Sequence, residues 1–211
     1  MKVIIVDDHE LIREGLKKVL IKNSDIEIVG EAGDSQELLD LLNHNHNKVD
    51  IVILDISMPG RSGLELLRDI KDLHPDVKTL VLSMHPEDRF AIRTLKAGAS
   101  GYLSKHSAAK ELVNALRKIK SGGKYISQAL AEQLALEIET PSDKPLHEKL
   151  SNREFEIMLK ISLGKSVSEI AEELVLSVNT ITSYRTRVMQ KMNMRSNAEI
   201  IRYAIKNQLV D

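Results

Sequence analysis

Four short runs of apolar, largely β-branched residues each end in a side chain suited to phosphate chemistry. Val3-Ile4-Ile5-Val6 stops at Asp7-Asp8, and Ile51-Val52-Ile53-Leu54 stops at Asp55. Leu80-Val81-Leu82 stops at Ser83, and Tyr102-Leu103-Ser104 stops at Lys105. Uninterrupted apolar runs of this length, bounded by polar residues, are the pattern of strands buried on both faces, as in a parallel α/β sheet. The carboxyl ends of such strands share one edge, and ligands bind in the crevice there. The chain is therefore expected to gather three carboxylates, a hydroxyl and an ammonium at one place.

A helix-period segment follows each run, so residues 1–122 read as five βα units. Leu11, Ile12, Leu16, Val19 and Leu20 form the first apolar stripe. Leu38/Leu39/Leu42, Leu64/Leu67/Ile70, Phe90/Ile92/Leu95 and Leu112/Val113/Leu116/Ile119 form the later ones. Only Ile26, Ile28 and Val29 mark the second strand, which suits a sheet edge. Gly98 and Gly101 punctuate the approach to the fifth strand, and Gly122-Gly123 closes the last helix. Residues 123–147 read as a connecting segment. One helix is expected from Ser127 to Ile138, and a linker at 139–145, where two prolines break every periodicity.

From residue 148 to 211 the pattern becomes all-helical. Ser151-x-x-Glu154, Ser166-x-x-Glu169 and Ser196-x-x-Glu199 read as capping boxes. A short helix over Ser168–Leu174, a brief turn and a longer helix capped by Ser177 and running to about Met192 make a helix-turn-helix. Between Leu174 and Ala198 there is no acidic residue, while Arg185, Arg187, Lys191 and Arg195 fall there. An acid-free basic segment in a chain of net charge −1 points to a polyanion-facing surface. Ile181, Tyr184, Val188 and Met192 are expected to face the core. Thr182, Ser183, Thr186, Arg187 and Gln190 form another face able to donate to phosphates and read base edges, with Arg185 at its border. Asn179 and Thr180 open the same helix, and Lys165 and Lys191 lie near helix ends within reach of a DNA backbone.

Composition excludes several classes. Cysteine is absent, which removes disulfide and thiolate-metal chemistry. With aromatics at 3%, the cores must be built from Leu, Ile, Val and Ala. The apolar runs fall far short of the roughly 20 residues that span a bilayer. Met1-Lys2 leads straight into a strand without a signal-peptide pattern, so a cytoplasmic location is expected. The seven histidines show no ligand spacing, and His44 and His46 fall in a polar loop. Gly60-Arg61-Ser62-Gly63 is not a phosphate-cradling loop, because the Lys-Ser/Thr that should follow is missing.

Three carboxylates a few ångströms apart repel by about 4 kcal/mol per pair at an effective dielectric near 20. A hard divalent cation such as Mg²⁺ relieves that repulsion. Lys105 can neutralise an incoming anion, Ser83 can donate to a phosphoryl oxygen, and Asp55 can act as nucleophile toward phosphorus. Taken singly, Asp7 or Asp8 could cap a helix and Lys105 could be an ordinary surface lysine. Their placement at separate strand ends favours the joint reading. Met58-Pro59-Gly60 reads as a tight turn behind the nucleophile.

Asp7-Asp8, Asp55 with Met58-Pro59-Gly60, Ser83 and Gly101-Tyr102-Leu103-Ser104-Lys105 make residues 1–122 resemble the response-regulator receiver family. Leu150 to Glu154, Ile170-Ala171 and Val178 to Val188 are similar to the LuxR-type helix-turn-helix, and the whole chain resembles a NarL/FixJ-type regulator. The resemblance implies a doubly wound, flavodoxin-like five-stranded parallel sheet of order 2-1-3-4-5 with a second, all-α domain. It implies phosphorylation of Asp55 by a sensor histidine kinase. Mg²⁺ would be held by Asp8, Asp55 and the Ser57 backbone carbonyl, with Asp7 acting through water. Ser83 and Tyr102 would form a switch pair. It further implies control of transcription through double-stranded DNA, bound by a homodimer formed through the last helix, here Ile200, Ile201, Ala204 and Ile205, residues that also suit, in part, the core of their own domain. Phosphorylation would release the second domain from the receiver. The sequence departs from many relatives at Thr182 and Thr186, where they carry lysine.

The rival reading is a Mg²⁺-dependent phosphohydrolase using Asp55 as a turnover nucleophile. Haloacid-dehalogenase-type enzymes need an acid two residues later, where Ser57 stands, and His85 and Glu87 are the remaining candidates. A third reading has the basic helix bind an acidic protein.

Overall fold

The computed structural model describes residues 1–44, 49–58, 63–84, 87–128, 130–132 and 145–210. The expected turn at Pro59-Gly60, His46, His85 and most of the 139–145 linker lie outside these residues, as does the second half of the expected 127–138 helix. Contacts divide the chain into two units, Met1–Glu139 and Thr140–Asp211. No helix among the described residues is long and apolar enough to cross a membrane.

The first unit alternates strand and helix: β1 (Lys2–Val6), α1 (Glu10–Leu20), β2 (Glu27–Ala32), α2 (Ser35–His44), β3 (Ile51–Asp55), α3 (Gly63–Leu73), β4 (Lys78–Ser83), α4 (Glu87–Ala97), β5 (Gly101–Ser104) and α5 (Ala108–Lys120). The sheet is fully parallel in the order β2-β1-β3-β4-β5. Each apolar run is buried along its length, because helices cover both faces of the central strands. Burying one such Val, Ile or Leu side chain contributes about 1.5–3 kcal/mol. The weakly marked β2 is an edge strand, as its half-exposed pattern requires.

Two helical stripes differ from the periodic expectation. In α1 only Leu16 and Leu20 are buried, whereas Leu11 is 87% exposed and Ile12 36%. Leu11 points well away from the Leu16 side of the helix, and Ile12 belongs to its first turn. Among the described side chains of α4, which do not include Phe90, the buried ones are the small residues Ala91, Thr94 and Ala97, spaced by three, while Ile92 and Leu95 are half-buried. Thr94 tolerates burial because its hydroxyl donates to Ala91 O at 2.8 Å. The compact unit also runs past Gly122, with Tyr125 bridging to Gly101.

In the second unit a 3₁₀ turn at Leu146–Lys149 precedes α6 (Asn152–Ser162), α7 (Val167–Glu173), α8 (Val178–Met192) and α9 (Asn197–Lys206). The boxes at Ser151/Glu154 and Ser166/Glu169 form completely. At Ser196 only half a box forms. The hydroxyl accepts from Glu199 N–H, but the Glu199 carboxylate accepts from Arg195 N–H instead. Ile181, Val188 and Met192 of α8 are buried as expected, whereas Tyr184 is half-buried beneath Arg187, whose guanidinium lies 5.6 Å from the ring centroid. The α7–α8 turn places Val175 at φ +52°, a left-handed conformation that a β-branched residue rarely adopts. Asn193, at φ +53°, ends α8 in the left-handed conformation asparagine tolerates better.

Candidate functional site

The carboxyl edge of the sheet brings the strand-terminal residues together. Lys105 Nζ lies 2.6 Å from Asp55 Oδ2 and 2.6 Å from Asp7 Oδ2, an ammonium shared by two buried carboxylates. The Asp55 contact is a hydrogen bond, and the Asp7 contact is an equally short ion pair. The other Asp55 oxygen accepts from Ser57 N–H at 2.9 Å. Lys105 is positioned by its own backbone, whose N–H donates to Ser83 O at 2.9 Å across the β4–β5 ladder. Ser83 and Tyr102 are buried on those two strands.

Burial pushes the Asp55 carboxyl above its ordinary range, and Lys105 and the Ser57 N–H offset only part of that. Burial by itself would lower the Lys105 pKa. Asp55 and Asp7 outweigh it, so the ammonium is held more firmly than a free lysine. The site thus keeps a firmly protonated cation beside the Asp55 and Asp7 carboxylates.

Asp7 also serves the simpler structural role. Its Oδ1 accepts from His9 N–H at 2.9 Å, shaping the turn into α1. Its second oxygen and Asp8 Oδ1 are buried with no hydrogen bond. Asp7, Asp8, His9 and Asp55 can each offer one ligand atom, all within 4.8 Å of one another. Carboxylate oxygens clustered this closely fit a hard, oxygen-preferring divalent cation. His9 was not among the residues expected from sequence. Its Nδ1 lies 2.9 Å from Asp8 Oδ1, and its only sequence signal is adjacency to the acidic pair.

On α8 the expected polar face exists, since Asn179, Thr182, Ser183, Thr186, Arg187, Gln190 and Lys191 are exposed and Thr180 and Arg185 half-exposed. Its hydrogen bonding differs from expectation. The hydroxyls of Thr182, Ser183 and Thr186 donate to the carbonyls of Val178, Asn179 and Thr182 at 2.8–2.9 Å. Their protons are engaged within the helix, so outwardly they offer acceptors, and the two threonines a methyl group, rather than donors to phosphate. Arg185 Nε donates to Asn197 Oδ1 at 2.7 Å. Lys191 is likewise engaged. Its Nζ lies 2.7 Å from Glu154 Oε2, the carboxylate that also closes the α6 capping box. No local pattern announces that pair, because its members are 37 residues apart.

The last helix divides the expected residues between core and surface. Ile200 and Ala204 are completely buried within the protein, Ile201 is half-buried, and only Ile205 is exposed, at 54%. A helix that packs on α6 must give one stripe to the core, and Ile200 and Ala204, four apart, are that stripe.

The fold and the acidic pocket define a receiver domain joined to a helix-turn-helix domain. The family described as response regulator receiver domain matches residues 3–117, and that described as bacterial regulatory proteins, luxR family, matches residues 148–204. The chain belongs to the response-regulator family, of the NarL/FixJ type that carries a LuxR-type DNA-binding domain. It is 40% identical to the response regulator UvrY of Escherichia coli over 99% of this chain and 95% of that one. It is 37% identical to the response regulator GacA of Pseudomonas aeruginosa over 100% and 98% of the two chains. Among solved structures, RcsB of Salmonella typhimurium, described for its conformational dynamism in DNA interaction, superposes with a TM-score of 0.69 at 28% identity, over 96% of each chain. An RcsB–DNA complex superposes with a TM-score of 0.59 at 29% identity, again over 96% of each chain.

Proposed function

We propose that the chain is a phosphorylation-controlled transcription regulator whose phosphoacceptor is Asp55. The observation that carries the reading is the single Lys105 ammonium held 2.6 Å from both Asp55 and Asp7 at the strand ends. A carboxylate oxygen beside a fixed cation is suited to attack the phosphorus of a phosphohistidine on a sensor histidine kinase. The new P–O bond forms as the P–N bond breaks, and the imidazole leaves with the bonding pair and takes a proton. Mg²⁺ would be held by Asp8, Asp55 and the Ser57 carbonyl, with Asp7 acting through water. When bound, it neutralises charge on the transferred group. Lys105 pairs with the new phosphoryl anion, Ser83 donates a hydroxyl to it, and Tyr102 follows as the second member of the switch.

Phosphorylation in turn frees the second unit to dimerise and to bind double-stranded DNA through α8, with Asn179, Thr180, Arg185, Arg187 and Gln190 in the groove. The dimer contact on α9 rests on Ile205 and the exposed part of Ile201. The setting is cytoplasmic. Beyond phosphoryl transfer to Asp55 and its loss to water, the chain is not an enzyme, because Ser57 stands where an aspartyl phosphatase needs its second acid.

Acetyl phosphate with Mg²⁺ tests the proposal. Wild type should be labelled and gain affinity for DNA fragments selected from its host genome, and Asp55→Asn should lose both effects. Labelling that persists in Asp55→Asn would refute the assignment. Rapid multiple turnover of small phosphoesters would favour the phosphatase reading instead.

A further inference from the structure

Beyond Gly122 the chain turns back and pairs with the free edge of β5. Tyr125 N–H donates to Ser100 O at 3.0 Å, and Tyr125 O accepts from Tyr102 N–H at 3.1 Å, a parallel bridge centred on Gly101. Gly101 permits that approach, since a Cβ there would lie 2.8 Å from Tyr125 O and 2.9 Å from Tyr125 Cβ. The side chain is anchored as well. Its Oη donates to Glu111 Oε2 at 2.7 Å, and Lys118 Nζ stands 5.8 Å from the ring centroid. The ring packs against the core cluster containing Leu103, Leu112 and Leu116. Lys124 adds a donor to Ala99 O at 2.5 Å. Two consecutive residues thus grip both the start of β5 and the face of α5.

We infer that Tyr125 is a positioning residue for the phosphorylation switch, coupling the conformation of β5 at Tyr102 to the segment that continues toward the DNA-binding unit. The inference rests on the proposed phosphorylation of Asp55. Tyr102 carries the amide that the latch holds, and Lys105, three residues further on, carries the ammonium beside Asp55. When a phosphoryl group draws Lys105 toward it, the end of β5 that carries Lys105 moves with it. The Tyr125 bridge then carries the shift from Tyr102 to the segment that follows α5. Such coupling is reciprocal, so the latch also biases which β5 conformation Asp55 meets. A strut with no such role would lower stability when cut, yet leave the difference between phosphorylated and unphosphorylated protein intact.

Amide hydrogen exchange on the full chain, with Mg²⁺ alone and with Mg²⁺ plus acetyl phosphate, tests this. Protection of the Tyr102 and Tyr125 amides should change by about fivefold or more on labelling, the lower end of ordinary coupling energies. Labelled wild type whose Tyr102 and Tyr125 amides are unaltered would overturn the latch alone. Wild type that takes no label would overturn the function on which it rests, and the latch with it. Tyr125→Ala should still be labelled, with its phosphorylation-dependent gain in DNA affinity reduced by about fivefold. Tyr125→Phe, which keeps ring and backbone, should retain most of the gain. A full gain in folded Tyr125→Ala would refute the coupling, and if that variant does not fold, the wild-type exchange result decides.

Discussion

Replacing Lys105 by methionine removes the ammonium shared by Asp7 and Asp55. In the wild type its Nζ lies 2.6 Å from each of Asp7 and Asp55, whose side chains are only 1% and 2% exposed. Those distances put the two oxygens no more than about 5.2 Å apart, where two carboxylates repel by about 3 kcal/mol at an effective dielectric of 20. Removing one partner of a buried pair commonly costs about 3–5 kcal/mol, because the remaining charge is neither paired nor hydrated. For a unit of this size each kcal/mol shifts the midpoint by about 3 °C, so Lys105→Met should melt about 10 °C lower in EDTA. Mg²⁺ should then stabilise the variant more than the wild type, since it takes over the neutralising role and binds only the folded pocket. Calorimetry in EDTA and in Mg²⁺ measures both effects. The double variant Asp55→Asn, Lys105→Met should recover most of the loss in EDTA. A midpoint change below about 3 °C, or equal Mg²⁺ stabilisation of both proteins, would refute the shared-ammonium account.

Other consequences can be measured in the same way. Gly63→Ala should destabilise the first unit by about 1–3 kcal/mol and slow acetyl-phosphate labelling, because its Cβ would lie 2.5 Å from Ile56 Cα and 2.7 Å from Ile56 O, next to Asp55. Val175→Gly should raise the midpoint of the second unit by about 1 kcal/mol equivalent, since glycine removes the left-handed strain and the lost side chain is 70% exposed; a lower midpoint would contradict this. Burial raises the Glu154 carboxyl, but Lys191 and the Ser151 N–H outweigh it and hold it below the ordinary glutamate range. Its stabilising contribution is therefore present above about pH 4.3 and lost as pH falls through the lowered folded value, and Glu154→Gln should flatten that acid limb in denaturant titrations. Arg187→Ala should reduce the salt slope of DNA binding by about 0.9. Lys191→Met should instead leave the slope unchanged and cost at most about 1 kcal/mol of fold stability, since its partly exposed ammonium is paired to Glu154.

Local chemistry made much of the molecule legible. A continuous apolar run ending in an acid specifies a buried parallel strand with a functional end. Ser151, Ser166 and Ser177 announce helix starts because their hydroxyls take the first free N–H groups. Periodicity failed where a helix packs through small residues, as at Ala91, Thr94 and Ala97 of α4, since alanine carries little hydropathy signal. It also failed in the first turn of α1, where Leu11 and Ile12 are exposed while Leu16 and Leu20 are buried.

By itself, then, the order of residues determined which strands end in which functional groups, because strand burial and helix capping are decided within a few neighbouring residues. Only the tertiary structure decided how those groups share partners. It showed that one ammonium serves both Asp7 and Asp55, and that Lys191 belongs to Glu154. It also committed Ile200 and Ala204 to the core and closed Tyr125 over Gly101. These are pairings between residues distant in sequence, set by which surfaces the packed layers bring within a few ångströms, and no local pattern encodes them.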